Sequence, residues 1–106
     1  KLTASDAAWG ENFGTSVAIE GGTVVVGATQ SWSGGSGSAY VFRTTDGGAT
    51  YDQVAKLTAS DAAWGENFGT SVAIEGGTVV VGATQSWSGG SGSAYVFRTT
   101  DGGATY

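Results

Sequence analysis

Residues 1–51 of this chain recur letter for letter as residues 56–106, with Asp52, Gln53, Val54 and Ala55 between them. That repeat limits the fold more than any composition does, because one supersecondary unit is built twice and its apolar faces must be covered by copies of itself. The repeats span 1–55 and 56–106, the second without the four residues that end the first. Natural tandem repeats drift apart. Identity at every position therefore points to an engineered or consensus sequence, or to a very recent duplication.

Within each copy the apolar residues keep strand spacing. Asn12 to Thr29 holds two β-branched runs, Ser16 to Ile19 and Thr23 to Ala28, on either side of Glu20, Gly21 and Gly22. This arrangement predicts a hairpin of two short strands. Val24, Val25 and Val26 make the second strand apolar on both faces, which places it inside a stack of sheets. Gln30 to Ser38 predicts a polar loop carrying Trp32, Ala39 to Thr44 a third strand, and Asp46, Gly47 and Gly48 a tight turn. From Tyr51 to Ala59, Gln53, Ala55, Leu57 and Ala59 face one way and Asp52, Val54, Lys56 and Thr58 the other, the alternation of a half-exposed edge strand. Lys1 to Ala4 repeats the second half of that strand, and Ser5 to Asn12 reads as a loop from its turn chemistry. The 20 glycines, in a chain without proline, read as turn residues, since disordered Gly-rich chains lack such recurrent Val, Ile, Phe, Trp and Tyr.

Four antiparallel strands per repeat, the inner ones apolar on both faces and the outer one half polar, predict an all-β chain of two β-propeller blades. A β-sandwich is the alternative, and the strict four-strand period with its long return loop argues against it. Two blades cannot close a ring, because propellers need about four to eight. An isolated pair would expose both flat apolar blade faces. The expected assembly is a cyclic homo-oligomer with head-to-tail contacts, a trimer of six blades or a tetramer of eight.

Phe13-Gly14 followed by Gly27-Ala28 resembles the FG-GAP repeat of integrin-α-type propellers. Gly37 to Phe42 and Ala55 to Asp61 extend the resemblance through nearly the whole chain. It implies blades of a propeller, usually seven per ring, on cell-surface or secreted proteins that bind other macromolecules. Many blades of that family hold Ca²⁺ in an Asp-rich loop between the first two strands. Here that position is Glu20, Gly21 and Gly22, and one carboxylate does not supply the six to eight oxygens that Ca²⁺ takes, so no metal site is expected. The proline of the family name is replaced by Thr29. A second stretch, Thr44 to Tyr51, is similar to the Asp-box of sialidases and other propellers, with Asp46, Gly48, Thr50 and Tyr51 on the matching positions. Such a box closes a hairpin away from any active site, and its Asp accepts hydrogen bonds from its own turn.

The two tight turns of a blade open on one side of a propeller and the other two connections on the opposite side. This geometry brings Trp9 near Trp32 and Trp64 near Trp87. Asp6, Glu11, Asn12 and Gln30 are their polar neighbours in the first repeat, and Asp61, Glu66, Asn67 and Gln85 in the second. Indole faces beside carboxylate or amide acceptors suit carbohydrate, whose C–H patches stack on rings while its hydroxyls need fixed partners. A lectin-like carbohydrate- or protein-binding face is therefore the alternative to a scaffold. The competing structural role for Trp9 is a wedge between blades.

Catalytic chemistry has little to work with. Asp6 and Glu11 would make a carboxylate pair for glycoside hydrolysis, but both lie on one short loop. With no Cys and no His, thiol catalysis, Ser/His/Asp sets, disulfides and the usual zinc ligands are excluded. No enzymatic activity and no cofactor are expected. Nine acids outnumber Lys1, Arg43, Lys56 and Arg98, leaving a net charge of −5 and no basic patch for nucleic acid. No apolar run approaches the roughly 18 residues of a membrane span and no leader begins the sequence, so a soluble chain is expected. The compartment stays open, with the family resemblance implying an extracellular one.

Overall fold

The computed structural model describes residues 1–4, 11–30, 37–59, 66–85, 92–102 and 105–106. Among the described residues seven strands follow one another: β1 (Glu11–Glu20), β2 (Thr23–Gln30), β3 (Ser38–Arg43), β4 (Asp52–Leu57), β5 (Glu66–Glu75), β6 (Thr78–Gln85) and β7 (Ser93–Arg98). There is no helix among the described residues. All pairings within the sheets are antiparallel. The first sheet has the order β1-β2-β3-β4 and the second β5-β6-β7, so neighbours in sequence are neighbours in space. These are blades of the kind the repeat predicts, built by plain up-and-down connection.

The Glu20-Gly21-Gly22 hairpin forms as expected. Gly21 has φ +57°, a left-handed conformation that costs glycine little, and the turn is tied to the next connection by Thr44 N–H donating to the Gly22 carbonyl at 2.9 Å. The first strand is longer than its β-branched run. Pairing resumes beyond an irregularity between Phe13 and Ser16, so Glu11 and Asn12, read from their turn chemistry as loop, are strand residues opposite Gln30 and Thr29. Gly14, at φ +98°, and Thr15 form the bulge that makes this possible.

β4 carries a second irregularity. Val41 pairs with Ala55 and Phe42 with Gln53, which leaves Val54 as the extra residue. Strict alternation assigned Val54 to the outward face with Asp52 and Lys56. The bulge breaks the alternation, and Val54 packs with Ala55 against the core. β4 also ends at Leu57, short of the predicted Ala59, and residues 1–4 form no strand.

The two sheets stack face to face. Val25, Ala39 and Val41 of the first sheet meet Phe68, Val79, Val81 and Ala83 of the second in one buried cluster, closed at its edge by Leu57 and Ala59. Every one of these is apolar, and burying a Val or Phe side chain contributes on the order of 1.5–3 kcal/mol. On its other face the first sheet gathers Val26, Ala28, Tyr40 and Phe42, covered by Ala4 with Leu2, Phe13 and Tyr51 at the margin. Ala4 therefore covers the first sheet as Ala59 covers the second.

Candidate functional site

Trp9, Trp32, Trp64, Trp87, Asp6 and Asp61 lie outside the described residues. The backbone of the remaining candidates is placed at the ends of the inner strand pairs. Glu11 stands opposite Gln30 and Glu66 opposite Gln85, one pair in each sheet. Asn12 and Asn67 have structural tasks. The Asn12 side-chain amide donates to Thr29 Oγ1 at 3.2 Å, and Thr15 Oγ1 donates to the Asn12 carbonyl at 2.6 Å, bridging the bulge. Asn67, Thr84 and Thr70 repeat the arrangement at 3.3 and 2.6 Å. This use of Asn12 has a sequence signal: Thr29, where the family name has proline, supplies the acceptor.

The turn after β3 is organised by Asp46. Its carboxylate accepts from Thr50 Oγ1 at 2.6 Å, from Thr50 N–H at 2.9 Å and from Thr44 Oγ1 at 2.7 Å, while Thr44 Oγ1 accepts from Gly48 N–H at 2.9 Å. The Thr50 hydroxyl, then the Thr50 N–H and the Thr44 hydroxyl hold the Asp46 carboxyl well below the ordinary carboxylate range, because each bond favours the charged form. Asp101 receives the same bonds from Thr105 and Thr99. Thr44 and Asp46 are therefore occupied in shaping a solvent-exposed turn.

The most distinctive surface is apolar. Each sheet has two unlike faces, and the junction inside the chain joins the Val25 face of the first sheet to the Val79 face of the second. The backbones come very close there. Ser16 Oγ donates to the Gly69 carbonyl at 2.9 Å, Gly37 bridges to Phe68, and a Cβ at Gly27 would run into the Gly69 carbonyl oxygen. Phe68 is fully buried and packs edge-on to Tyr95 and Phe97, with ring centroids 5.4 and 6.1 Å apart.

Each half of this junction is present a second time without its mate. Val80 and Val96 repeat Val25 and Val41, yet they are 37% and 63% exposed where their counterparts are fully buried. At the other end Val17 and Ile19, 67% and 65% exposed, repeat Val72 and Ile74, which pack against the junction. Beside Val80 a cavity of about 290 Å³ is lined by Ala73, Ile74, Glu75, Thr78 and Val80. Gly82 and Ser71 repeat Gly27 and Ser16, but the described atoms nearest a Cβ at Gly82 all belong to Ser71, whereas at Gly27 they include the Gly69 carbonyl. The Val80–Val96 face and the Val17–Ile19 face thus repeat, in identical letters, the two halves that meet at the internal junction. Sequence reasoning named the flat faces but not these four residues, because their letters are identical to buried ones.

A family model described as FG-GAP repeat matches residues 1–42 and 51–97. No curated protein and no solved structure matches the chain.

Proposed function

Because the chain belongs to the FG-GAP repeat family, whose repeats make a propeller-like domain, we propose that it is a self-assembling scaffold without a catalytic role. Copies stack head to tail, the Val80–Val96 face of one against the Val17–Ile19 face of the next. A rotation that closes yields a ring with an even number of blades, six from three chains or eight from four.

The observation that supports this reading is the unequal exposure of identical residues. Val41 is fully buried and Val96 is 63% exposed although both sit in the same local sequence, and a further repeat would supply the cover that Val96 lacks. Exposed apolar faces of this kind mark interaction surfaces in soluble proteins.

Multi-angle light scattering tests the proposal. The expected mass is three or four times the 10.5 kDa of one chain. A folded, β-rich species of 10.5 kDa would overturn it.

A further inference from the structure

The sequence holds two Asp-Gly pairs, Asp46-Gly47 and Asp101-Gly102, and both occur in the same solvent-exposed turn, between Thr44 and Thr50 and between Thr99 and Thr105. Its Asn residues, Asn12 and Asn67, are each followed by Phe. Glycine after aspartate leaves the linking nitrogen unshielded, because no Cβ stands beside it. Gly47 and Gly102 both have φ +76°, and around each the space that a Cβ would take is open.

An unshielded pair of this kind isomerises by a known route of peptide chemistry. The glycine nitrogen attacks the aspartate Cγ. An N–Cγ bond forms, the nitrogen gives up its proton, and a carboxyl oxygen departs as water, leaving a five-membered succinimide. Water then opens the ring at either carbonyl, and opening at the main-chain carbonyl leaves isoaspartate, with the chain running through Cγ. One water leaves and one enters, so the mass is unchanged. The first step makes two demands: the carboxyl must be protonated, so that its oxygen can leave as water, and it must swing onto the glycine nitrogen.

The turn opposes both demands. Asp46 Oδ1 accepts from Thr44 Oγ1 at 2.7 Å and from Thr50 N–H at 2.9 Å, and Oδ2 accepts from Thr50 Oγ1 at 2.6 Å, so both oxygens are engaged and the rotation of the carboxyl is fixed. The same bonds keep it ionised. Thr44 Oγ1 also accepts from Gly48 N–H at 2.9 Å, which holds the main chain on the far side of Gly47. Asp101 is held alike, by Thr99 Oγ1 at 2.7 Å, Thr105 N–H at 3.0 Å and Thr105 Oγ1 at 2.6 Å.

We propose that Asp46 and Asp101 are the isoaspartate-forming sites of this chain, and that the hydroxyl pairs Thr44/Thr50 and Thr99/Thr105 are clamps that hold them in the ordinary linkage. Loss of a clamp hydroxyl frees the carboxyl to close on Gly47 or Gly102. The product at residue 46 carries its carboxylate on Cα and has an extra methylene in the main chain between β3 and β4, so the bonds that defined the turn are not re-formed.

Thr50→Val tests the clamp in one repeat and leaves the other as a control within the same molecule. The full chain is incubated near neutral pH, cleaved, and read by electron-transfer fragmentation, which tells isoaspartate from aspartate at residues 46 and 101. The ratio of isoaspartate at 46 to that at 101 is expected to rise at least about ten-fold over the parent, the factor that one hydrogen bond to a charged group supplies. Thr50→Ser, which keeps the hydroxyl, is expected to hold the parent ratio, and Thr105→Val to move the excess to Asp101. An unchanged ratio in Thr50→Val with the parent's circular dichroism overturns the proposal. Should Thr50→Val unfold, the parent decides: isoaspartate at both residues is expected to form at least about ten-fold more slowly in the native chain than in guanidinium, and equal rates overturn the proposal.

Discussion

Ser16 and Gly69, which lie 53 positions apart, are joined by a hydrogen bond of 2.9 Å from the Ser16 hydroxyl to the Gly69 carbonyl. This bond crosses from the first sheet to the second, and it is possible because Gly27 leaves the Gly69 carbonyl room to approach. A β-strand presents its carbonyls to strand neighbours, so a side chain from another sheet reaches one only where a bulge turns it outward. Gly69 lies at such an irregularity, between Phe68 and Ser71.

Gly27→Ala is expected to destabilise the chain, because its methyl group meets backbone, which cannot rotate away as a side chain does. Overpacking of this kind costs about 1–3 kcal/mol. Urea denaturation followed by Trp fluorescence measures it, and a shift below about 0.5 kcal/mol, the scale of an ordinary surface substitution, would show that the two sheets do not meet at this point.

Val96→Glu and Val41→Glu place the same change in the same local sequence. Val41 is fully buried, so its replacement leaves an uncompensated charge in the core, a loss on the order of 3–5 kcal/mol. Val96→Glu is expected to retain the β circular dichroism of the parent and to reduce its mass to the 10.5 kDa of a single chain. Equal loss of structure in the two variants would contradict the difference in their environments.

Phe68→Ala removes the fully buried ring that packs against Tyr95 and Phe97. The expected cost is about 3–5 kcal/mol, typical of a buried aromatic truncated to alanine. Guanidinium unfolding at a fixed chain concentration reads it, and the change should also perturb near-UV dichroism from the two neighbouring rings.

The Asp46 carboxyl is expected to stay ionised well below the usual Asp value of about 3.9. With its folded pKa depressed, its contribution to stability is fully present above that value and is lost only as pH falls through the lower folded one. Removing the Thr50 hydroxyl, the largest cause of the shift, by Thr50→Val should move the titration back toward the ordinary range. Carbon-detected NMR of the Asp46 carboxyl follows both chains, and an unsubstituted midpoint at or above the ordinary value would refute the assignment.

Much of the blade was legible beforehand. The β-branched runs beside Glu20, Gly21 and Gly22 specified the hairpin, and the strand order follows from short connections. Legibility failed where a bulge intervened. Nothing in the letters of Val54 marks it as the extra residue between the partners of Val41 and Phe42, since that choice is set by the adjacent strand. It failed similarly at Glu11, whose pairing with Gln30 depends on a detour at Gly14 and Thr15. The Trp residues proposed for carbohydrate lie outside the described residues, and of that candidate set the structure assigns side-chain partners to Asn12 and Asn67.

The strands β1–β3 and β5–β7, their tight turns and the two-faced apolar pattern are local properties, and they come out alike in both repeats because the letters are alike. Burial is not local. Val25 and Val80 have the same neighbours in sequence and the same partners in their own sheets, yet one is sealed and the other is open. The difference arises because solvent exposure depends on what lies across the face of the sheet, about 10 Å away, and that is a matter of which repeat stands beside which.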